Sequence, residues 1–298
     1  MPPSTILEAG CKANIFLRIL GCRDDGYHEL QSLFVPLDQP RDRLFVSSSS
    51  RPGLELTCSC PELAGTQNTL HTAYKLFAAQ TGFRPGLSIW LEKNIPQGGG
   101  LGGGSSDAAA LLRYLNAQCP ATARLSARDL SRAALEIGAD VPFFLFNVPA
   151  WVQGIGERIR SVPVAFTSGW LLVVCPDTQV GTGQAFQAWD RARDKNQVSC
   201  SRSEKGPGYS REIICRGQVF FNSFEPVIYE IHPHLQHIKF ELLRFGARGA
   251  VLSGSGSAVV GLFSREREAR QAAHQLHDAS IRVFLNRVPS CWGKGEPG

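Results

Sequence analysis

Six of the seven residues from Gly98 to Gly104 are glycine, with Leu101 the exception. The stretch "IPQGGGLGGGSSDAAALLRYLN" runs from Ile95 to Asn116. Glycine loses the most conformational entropy on ordering, so a cluster this dense is costly to hold in one shape. Three chemistries compete to explain it. A flexible linker would alternate glycine with serine and run free, whereas this stretch sits between an apolar run and a helix-forming run. A dinucleotide fingerprint is met at Gly98, Gly100 and Gly103. It also needs a ribose-binding acid about 20 residues on, and "NAQCPATAR" supplies none. A Walker A loop needs a lysine ahead of Ser105, where Gly104 stands. The third chemistry is a phosphate cradle of another kind. Main-chain N–H groups turn inward around an anion where a Cβ would block the approach. A helix starting near Ser106 aims its positive end at the same point. Ser105 and Ser106 add hydroxyls of the type that donates to phosphate or ligates magnesium. No acid or base lies inside the stretch, so any bond-making group comes from elsewhere.

Other residues carry reactive groups in isolation. Asp140 stands between Gly138 and Pro142, where its type and spacing read as a helix cap or turn carboxylate. Lys12 heads an apolar strand and reads as a solvated cation. Tyr27 and His28, in "DDGYHEL", read as a strand-edge aromatic and a surface histidine, and Phe186, in "VGTGQAF", as core.

These groups need positioning elements. Short β-forming runs are expected at "NIFLRIL" (14–20), "QSLFVPL" (31–37), "RLFVSS" (43–48) and "LELTCS" (54–59), with turn residues between them. A helix begins at Asn68, with Leu70, Tyr74, Phe77 and Ala78 on one face. "LSIWLEKNI" is a strand that runs into the glycines. A helix follows from Ser105, Ser106 and Asp107, which suit its N-terminus. Ser126 and Asp129 resemble a capping box ahead of a helix closed by Gly138. Beyond Trp151 short strands resume, and "WLLVVCP" (170–176) is another. The segment 190–216 is charged, Ser-rich and Gly-rich and reads as a partly disordered surface insertion. A helix carrying Leu235, Ile238, Leu242 and Phe245, a strand–glycine turn–strand at "GAVLSGSGSAVVGLF", a helix over 265–279 and the strand "IRVFLN" complete the chain. Helices and strands mixed in both halves predict α+β domains, 1–157 and 158–298.

Composition bounds the function. Of 298 residues 43% are hydrophobic and 19% charged, which is globular and long enough for two cores. The net charge of +5 is spread along the chain, giving weak attraction for anionic ligands and little support for nucleic acid binding. Nine cysteines, none in a Cys-x-x-Cys pair, read as free thiols in a reducing cytosol. "MPPSTILEAG" has no signal-peptide pattern, and no apolar run approaches the roughly 20 residues of a membrane helix. A cytoplasmic protein is expected, with no nucleic acid or membrane partner, as a monomer or weak homodimer.

"PQGGGLGGGSSDAA" resembles the P-x-x-x-G-L-G-S/G-S-S loop of the GHMP kinase superfamily. "CKANIFLRILGCRDDGYHELQSLFVPLD", "IGADVPFFL" and "LSGSGSAVVGLF" resemble further blocks of one branch of it, in family order from Lys12 to Phe263. That branch phosphorylates a cytidine diphosphate sugar alcohol. The resemblance implies an N-terminal α/β ATP-binding domain and a C-terminal ferredoxin-like domain. It implies ATP as co-substrate with Mg2+ as counter-ion, and phosphoryl transfer to a hydroxyl. Asp140 takes the place of the general base, with Lys12 as its electrostatic partner. The ATP site would comprise Pro96, Gln97, Gly98, Gly99, Gly100, Leu101, Gly102, Gly103, Gly104, Ser105 and Ser106, with Asn68 and Lys93 lining the adenine pocket. Tyr27 and Phe186 would sandwich the cytosine, His28 would bond its edge, and Asn14 would touch the substrate near the reacting hydroxyl. Gly10 and Cys11 depart from the usual Pro-Ala before the lysine. Ser257 departs from the third glycine motif, and Ser223 replaces a frequent Asp after Asn222.

Overall fold

A computed structural model describes residues 5–162, 169–195, 198 and 220–288. Two compact units interleave along the chain. Residues 1–11, 40–95 and 102–147 form one, and residues 12–39, 96–101 and 148–298 the other. Two long strands, β1 (Thr5–Cys22) and β2 (His28–Ser48), each contribute one part to each unit. The runs expected as two strands at 31–37 and 43–48 are one element. Pro36 and Pro40 lie inside β2, because a strand tolerates proline's φ and loses only one ladder donor at each.

In the first unit β2 pairs antiparallel with β4 (Gly86–Glu92), and β3 (Gly53–Cys58) runs parallel to β4 on its other side. On β4, Leu87, Ile89 and Leu91 are buried while Trp90 is exposed. This period of two covers one face of the sheet. Helices α1 (Thr69–Thr81), α2 (Gly103–Gln118), α3 (Ala127–Ile137) and α4 (Val141–Phe146) complete the unit. The α1 stripe buries Leu70, Ala73, Tyr74, Phe77 and Ala78, the spacing of a 3.6-residue repeat. Asn68 caps α1 by accepting the N–H of Leu70 at 2.9 Å. Ser126 caps α3 by accepting that of Asp129 at 3.2 Å.

In the second unit β2 pairs with β5 (Ala150–Gly154), which pairs with β6 (Arg158–Ser161). β8 (Phe221–Asn222) runs parallel to β1. The remaining strands, β7 (Gly169–Pro176), β9 (Gly249–Leu252), β10 (Val259–Phe263) and β11 (Ile281–Val288), make an antiparallel sheet in the order β11-β7-β10-β9. Numbered by sequence that order is 4-1-3-2, the ferredoxin-like arrangement. Helices α5 (Thr182–Asp194), α6 (Glu225–Ile231) and α7 (Pro233–Arg244) fall between its first two strands, and α8 (Glu266–Leu276) between its last two. Trp189, Phe224, Leu235, Leu242, Leu252 and Phe263 share one buried core with strand residues Leu172 and Val174.

The charged segment expected as a surface insertion starts inside helix. Residues 190–194 are the last turn of α5, whose Trp189 and Ala192 are buried. Of the rest of 190–216, only Lys195 and Val198 are among the described residues. The six cysteines described are free thiols; Cys200, Cys215 and Cys291 lie outside the described residues. Among the described residues, no helix is long and apolar enough to cross a membrane.

Candidate active site

The glycine stretch divides between the units after Leu101. In the second unit four successive carbonyls are held. Gly98 accepts the N–H of Ser257 at 3.1 Å and Gly99 that of Ala258 at 3.2 Å. Leu101 accepts that of Lys12 at 3.0 Å. Gly100 accepts the hydroxyl of Ser253 at 3.1 Å. Among the described residues, no acceptor meets the N–H groups of Gly100, Leu101, Gly102, Gly103 or Gly104. Positive φ at Gly98, Gly100 and Gly102 (65°, 71° and 73°) alternates with ordinary φ between them, which is how a main-chain nest for an anion is made. At Gly100 glycine is obligatory twice over, because a Cβ would also lie 2.0 Å from the carbonyl oxygen of Ser253.

In the first unit α2 begins at Gly103, three residues before the expected start at Ser106. Its N-cap is Gly102, with no side-chain cap bond. Ser105 and Ser106 therefore sit inside the first turn and are not caps. An N-cap without a side chain leaves the first-turn amides for a ligand. The hydroxyl of Thr69 donates to the carbonyl of Gly104 at 2.8 Å and fixes this end of α2 against α1. Gly138 lies beside the same turn, since a Cβ on it would meet Ser105 Oγ at 4.0 Å. Gly138 ends α3 with extended backbone (φ 175°) and not with a left-handed cap. Asp140 stands at the N-cap of α4 but makes no capping bond there. The ordinary reading of this carboxylate as a helix cap is thereby removed.

Lys12 is buried, at 4% exposure, where a solvated lysine was the ordinary reading. Its Nζ lies 4.5 Å over the ring of Phe34 and donates to Asn14 Oδ1 at 2.5 Å. Asn14 Nδ2 donates to Ser32 Oγ at 2.9 Å, and the Asn14 N–H donates to Ser253 Oγ at 3.1 Å. Asn14 thus aims Lys12 while Ser253 ties the same strand to Gly100. Asn222 supports that turn from below. Its amide donates to the carbonyls of Leu252 and Gly254, both at 2.7 Å. Ser253 was visible only as part of a glycine-rich turn, and the role of Asn222 had no sequence signal beyond its place in "FNSFE".

Lys93 and Asn68 spend their side chains on the fold. Asn68 caps α1 and donates to the Leu63 carbonyl at 2.8 Å. Lys93 Nζ donates to Asp107 Oδ2 at 2.8 Å and to Asp42 Oδ2. Asp42 also accepts the N–H groups of Asn94 (2.6 Å) and Ile95 (2.8 Å). Burial pushes the Asp107 carboxyl up to about 7, Lys93 opposing and Asp42 reinforcing. Burial alone would lower the Lys93 ammonium, but the two carboxylates outweigh it and hold it above its ordinary value. One ammonium facing two buried carboxylates balances one of them. Among the described residues, the buried Asp107 Oδ1 has no hydrogen-bond partner.

A third cluster lies in the second unit. Tyr27 is 60% exposed in the β1–β2 connection, immediately before β2, where its carbonyl accepts the N–H of Arg23 at 2.7 Å. His28 is buried, with its ring 4.4 Å from that of Phe186 and nearly parallel to it (21°). Its Nε2 lies 2.9 Å from Asp190 Oδ1. The aromatic and the histidine that read as core and surface from their types thus lie together.

Residues 68–147 match the GHMP kinases N terminal domain and residues 208–281 the GHMP kinases C terminal domain. A 4-diphosphocytidyl-2-C-methyl-D-erythritol kinase of Nitratidesulfovibrio vulgaris is 43% identical over 284 residues, which is 95% of this chain and 99% of that protein. The chain belongs to the 4-diphosphocytidyl-2-C-methyl-D-erythritol kinase family. A family member from Solidesulfovibrio magneticus is 40% identical, covering 94% of this chain and 96% of its own. A solved structure of a 4-(cytidine 5'-diphospho)-2C-methyl-D-erythritol kinase superposes with a TM-score of 0.79 at 34% identity, over 98% of this chain and 100% of that one. The homoserine kinase of Cytophaga hutchinsonii, at 19% identity and TM-score 0.68 over 96% of each chain, shares the fold. This family member is a kinase that uses ATP, and its two-domain α+β fold is the GHMP kinase fold.

Proposed function

We propose that the protein transfers the γ-phosphoryl group of ATP to the 2-hydroxyl of 4-diphosphocytidyl-2-C-methyl-D-erythritol, releasing ADP, in the non-mevalonate route to isoprenoid precursors. What supports the reading best is the glycine turn. Its four carbonyls are bonded to the protein, and the following amides are left for phosphate oxygens at the positive end of α2. Pro96 and Gln97 lead into that turn. Asn68 and Lys93 line the adenine pocket.

Transfer forms a bond from the substrate oxygen to the γ-phosphorus and breaks the bond to the β–γ bridging oxygen. The hydroxyl proton passes to the Asp140 carboxylate. Lys12, aimed by Asn14, stabilises the oxyanion and the transferring group. Tyr27 and Phe186 hold the cytosine faces and His28 its edge. Among the described residues no three acidic, histidine or cysteine side chains converge as a metal cage. Mg2+ would be held by the Ser105 and Ser106 hydroxyls together with the nucleotide. When bound, the ion neutralises phosphate charge. The ATP-binding part is taken as 1–157 and the C-terminal part as 158–298, with residues 12–39, 96–101 and 148–157 of the first grouping with the second unit. The protein acts in the cytoplasm on small molecules, as a monomer or weak homodimer.

A substrate panel read by ADP release tests this. Turnover with the cytidine diphosphate substrate and none with mevalonate or homoserine is expected. Equal or better turnover with either of those would overturn the assignment, and nucleotide binding without turnover of any would mark a sensor.

A further inference from the structure

His28 and Asp190 form a pair that phosphoryl transfer itself does not use. His28 opens β2, and its side chain is 8% exposed. Asp190 follows Phe186 by four residues on α5, so both lie on one helix face. Three contacts fix the imidazole. It stacks on Phe186, meets Trp189 edge-on (5.8 Å, 87°) and places Nε2 against Asp190 Oδ1. Among the described residues its other nitrogen, Nδ1, has no partner. An Arg193 guanidinium nitrogen lies 3.5 Å from the same Asp190 oxygen.

An ionised carboxylate only accepts, so the hydrogen in this bond sits on Nε2. A neutral imidazole protonated at Nε2 presents Nδ1 as an acceptor. We propose that Asp190 is a positioning residue that selects the base. By keeping the hydrogen of His28 on Nε2, it makes Nδ1 an acceptor for the exocyclic amine of cytosine, and sets it against the carbonyl oxygen that uracil carries there. The proposal rests on reading this aromatic cluster as the base site. The stacking agrees with it. An imidazole nearly parallel to Phe186 lies in the plane that a base stacked on Phe186 would take. Its in-plane lone pair then meets the edge of the base. Two facing acceptors leave both groups unpaired, which is how a polar site rejects an analogue.

The test pairs long-range 1H–15N NMR of the full-length protein, with His28 assigned from a His28→Gln sample, with kinetics on matched cytidine and uridine diphosphate substrates. Wild-type His28 is expected as the Nε2–H tautomer. Asp190→Asn, whose amide can donate as well as accept, is expected to lose the single tautomer. It should lower the cytidine preference about tenfold through KM, with kcat within about twofold. Asp190→Glu should recover part of the preference. A wild-type His28 protonated on Nδ1 would overturn the proposal and needs no variant. So would an unchanged substrate ratio in Asp190→Asn beside a strong wild-type preference, and in that case the base-site reading stands. A wild type that treats both substrates alike removes the base-site reading, and this proposal with it.

Discussion

The backbone N–H of Lys12 donates to the carbonyl of Leu101 at 3.0 Å. The residue proposed to meet the transferring phosphoryl group is therefore tied, main chain to main chain, to the last residue of the turn that would hold the phosphates. Burying an ammonium costs several kcal/mol unless it is compensated. The ring of Phe34 and the Asn14 amide offset part of that cost.

Asp140→Asn should cut turnover about 100-fold or more while leaving ATP affinity nearly unchanged, the scale of a lost general base. Lys12→Ala should do the same. Steady-state kinetics beside nucleotide titration separates the two quantities. Near-normal turnover in purified Asp140→Asn would remove the base assignment.

Gly100→Ala should be damaging. Its φ of 71° and the Ser253 oxygen 2.0 Å from the new Cβ force the turn to move. A stability loss of about 1–3 kcal/mol is expected, with a marked rise in KM for ATP. Gly183→Ala, in α5 with ordinary φ and nothing within 4 Å of its Cβ, should instead stabilise by about 0.5–1 kcal/mol. Thermal melts of the two variants make the comparison.

Asp107 predicts a pH dependence. Its folded-state pKa, raised to about 7 by burial, exceeds the ordinary 3.8, so the folded protein binds this proton more tightly than the unfolded chain. Its contribution to stability is present in full below about pH 4 and is lost progressively as pH rises through about 7. Urea unfolding at several pH values should show this slope in wild type and its absence in Asp107→Asn. The same slope in both would disprove it.

Asn222→Ala should lower stability by about 3 kcal/mol, because it strands the carbonyls of Leu252 and Gly254 and the N–H of Phe224. It should also weaken ATP binding, since the turn that pins Gly98 to Gly100 loses its support. A loss of stability with nucleotide affinity intact would separate that turn from the phosphate site.

The glycine stretch was legible as a tight turn because its positive-φ positions, Gly98, Gly100 and Gly102, favour glycine. The 4-1-3-2 sheet was legible strand by strand from apolar runs such as "WLLVVCP". Its helices α5 and α6 were not. The buried positions of α5 are three alanines and Trp189 among polar neighbours, and α6 has only seven residues, too few for a period to show. The Asp42–Lys93–Asp107 cluster and the Asp190–His28 contact join residues 14 to 162 positions apart, and the burial of Lys12 depends on packing around one side chain. No local pattern encodes such pairings.

The most direct test of the account is to locate the new phosphate. Incubation of the protein with ATP, magnesium and 4-diphosphocytidyl-2-C-methyl-D-erythritol, followed by 31P and 13C NMR of the product, should show one added phosphate coupled to C2 of the erythritol. A phosphate on any other oxygen, or ATP hydrolysis with the substrate returned unchanged, would contradict it.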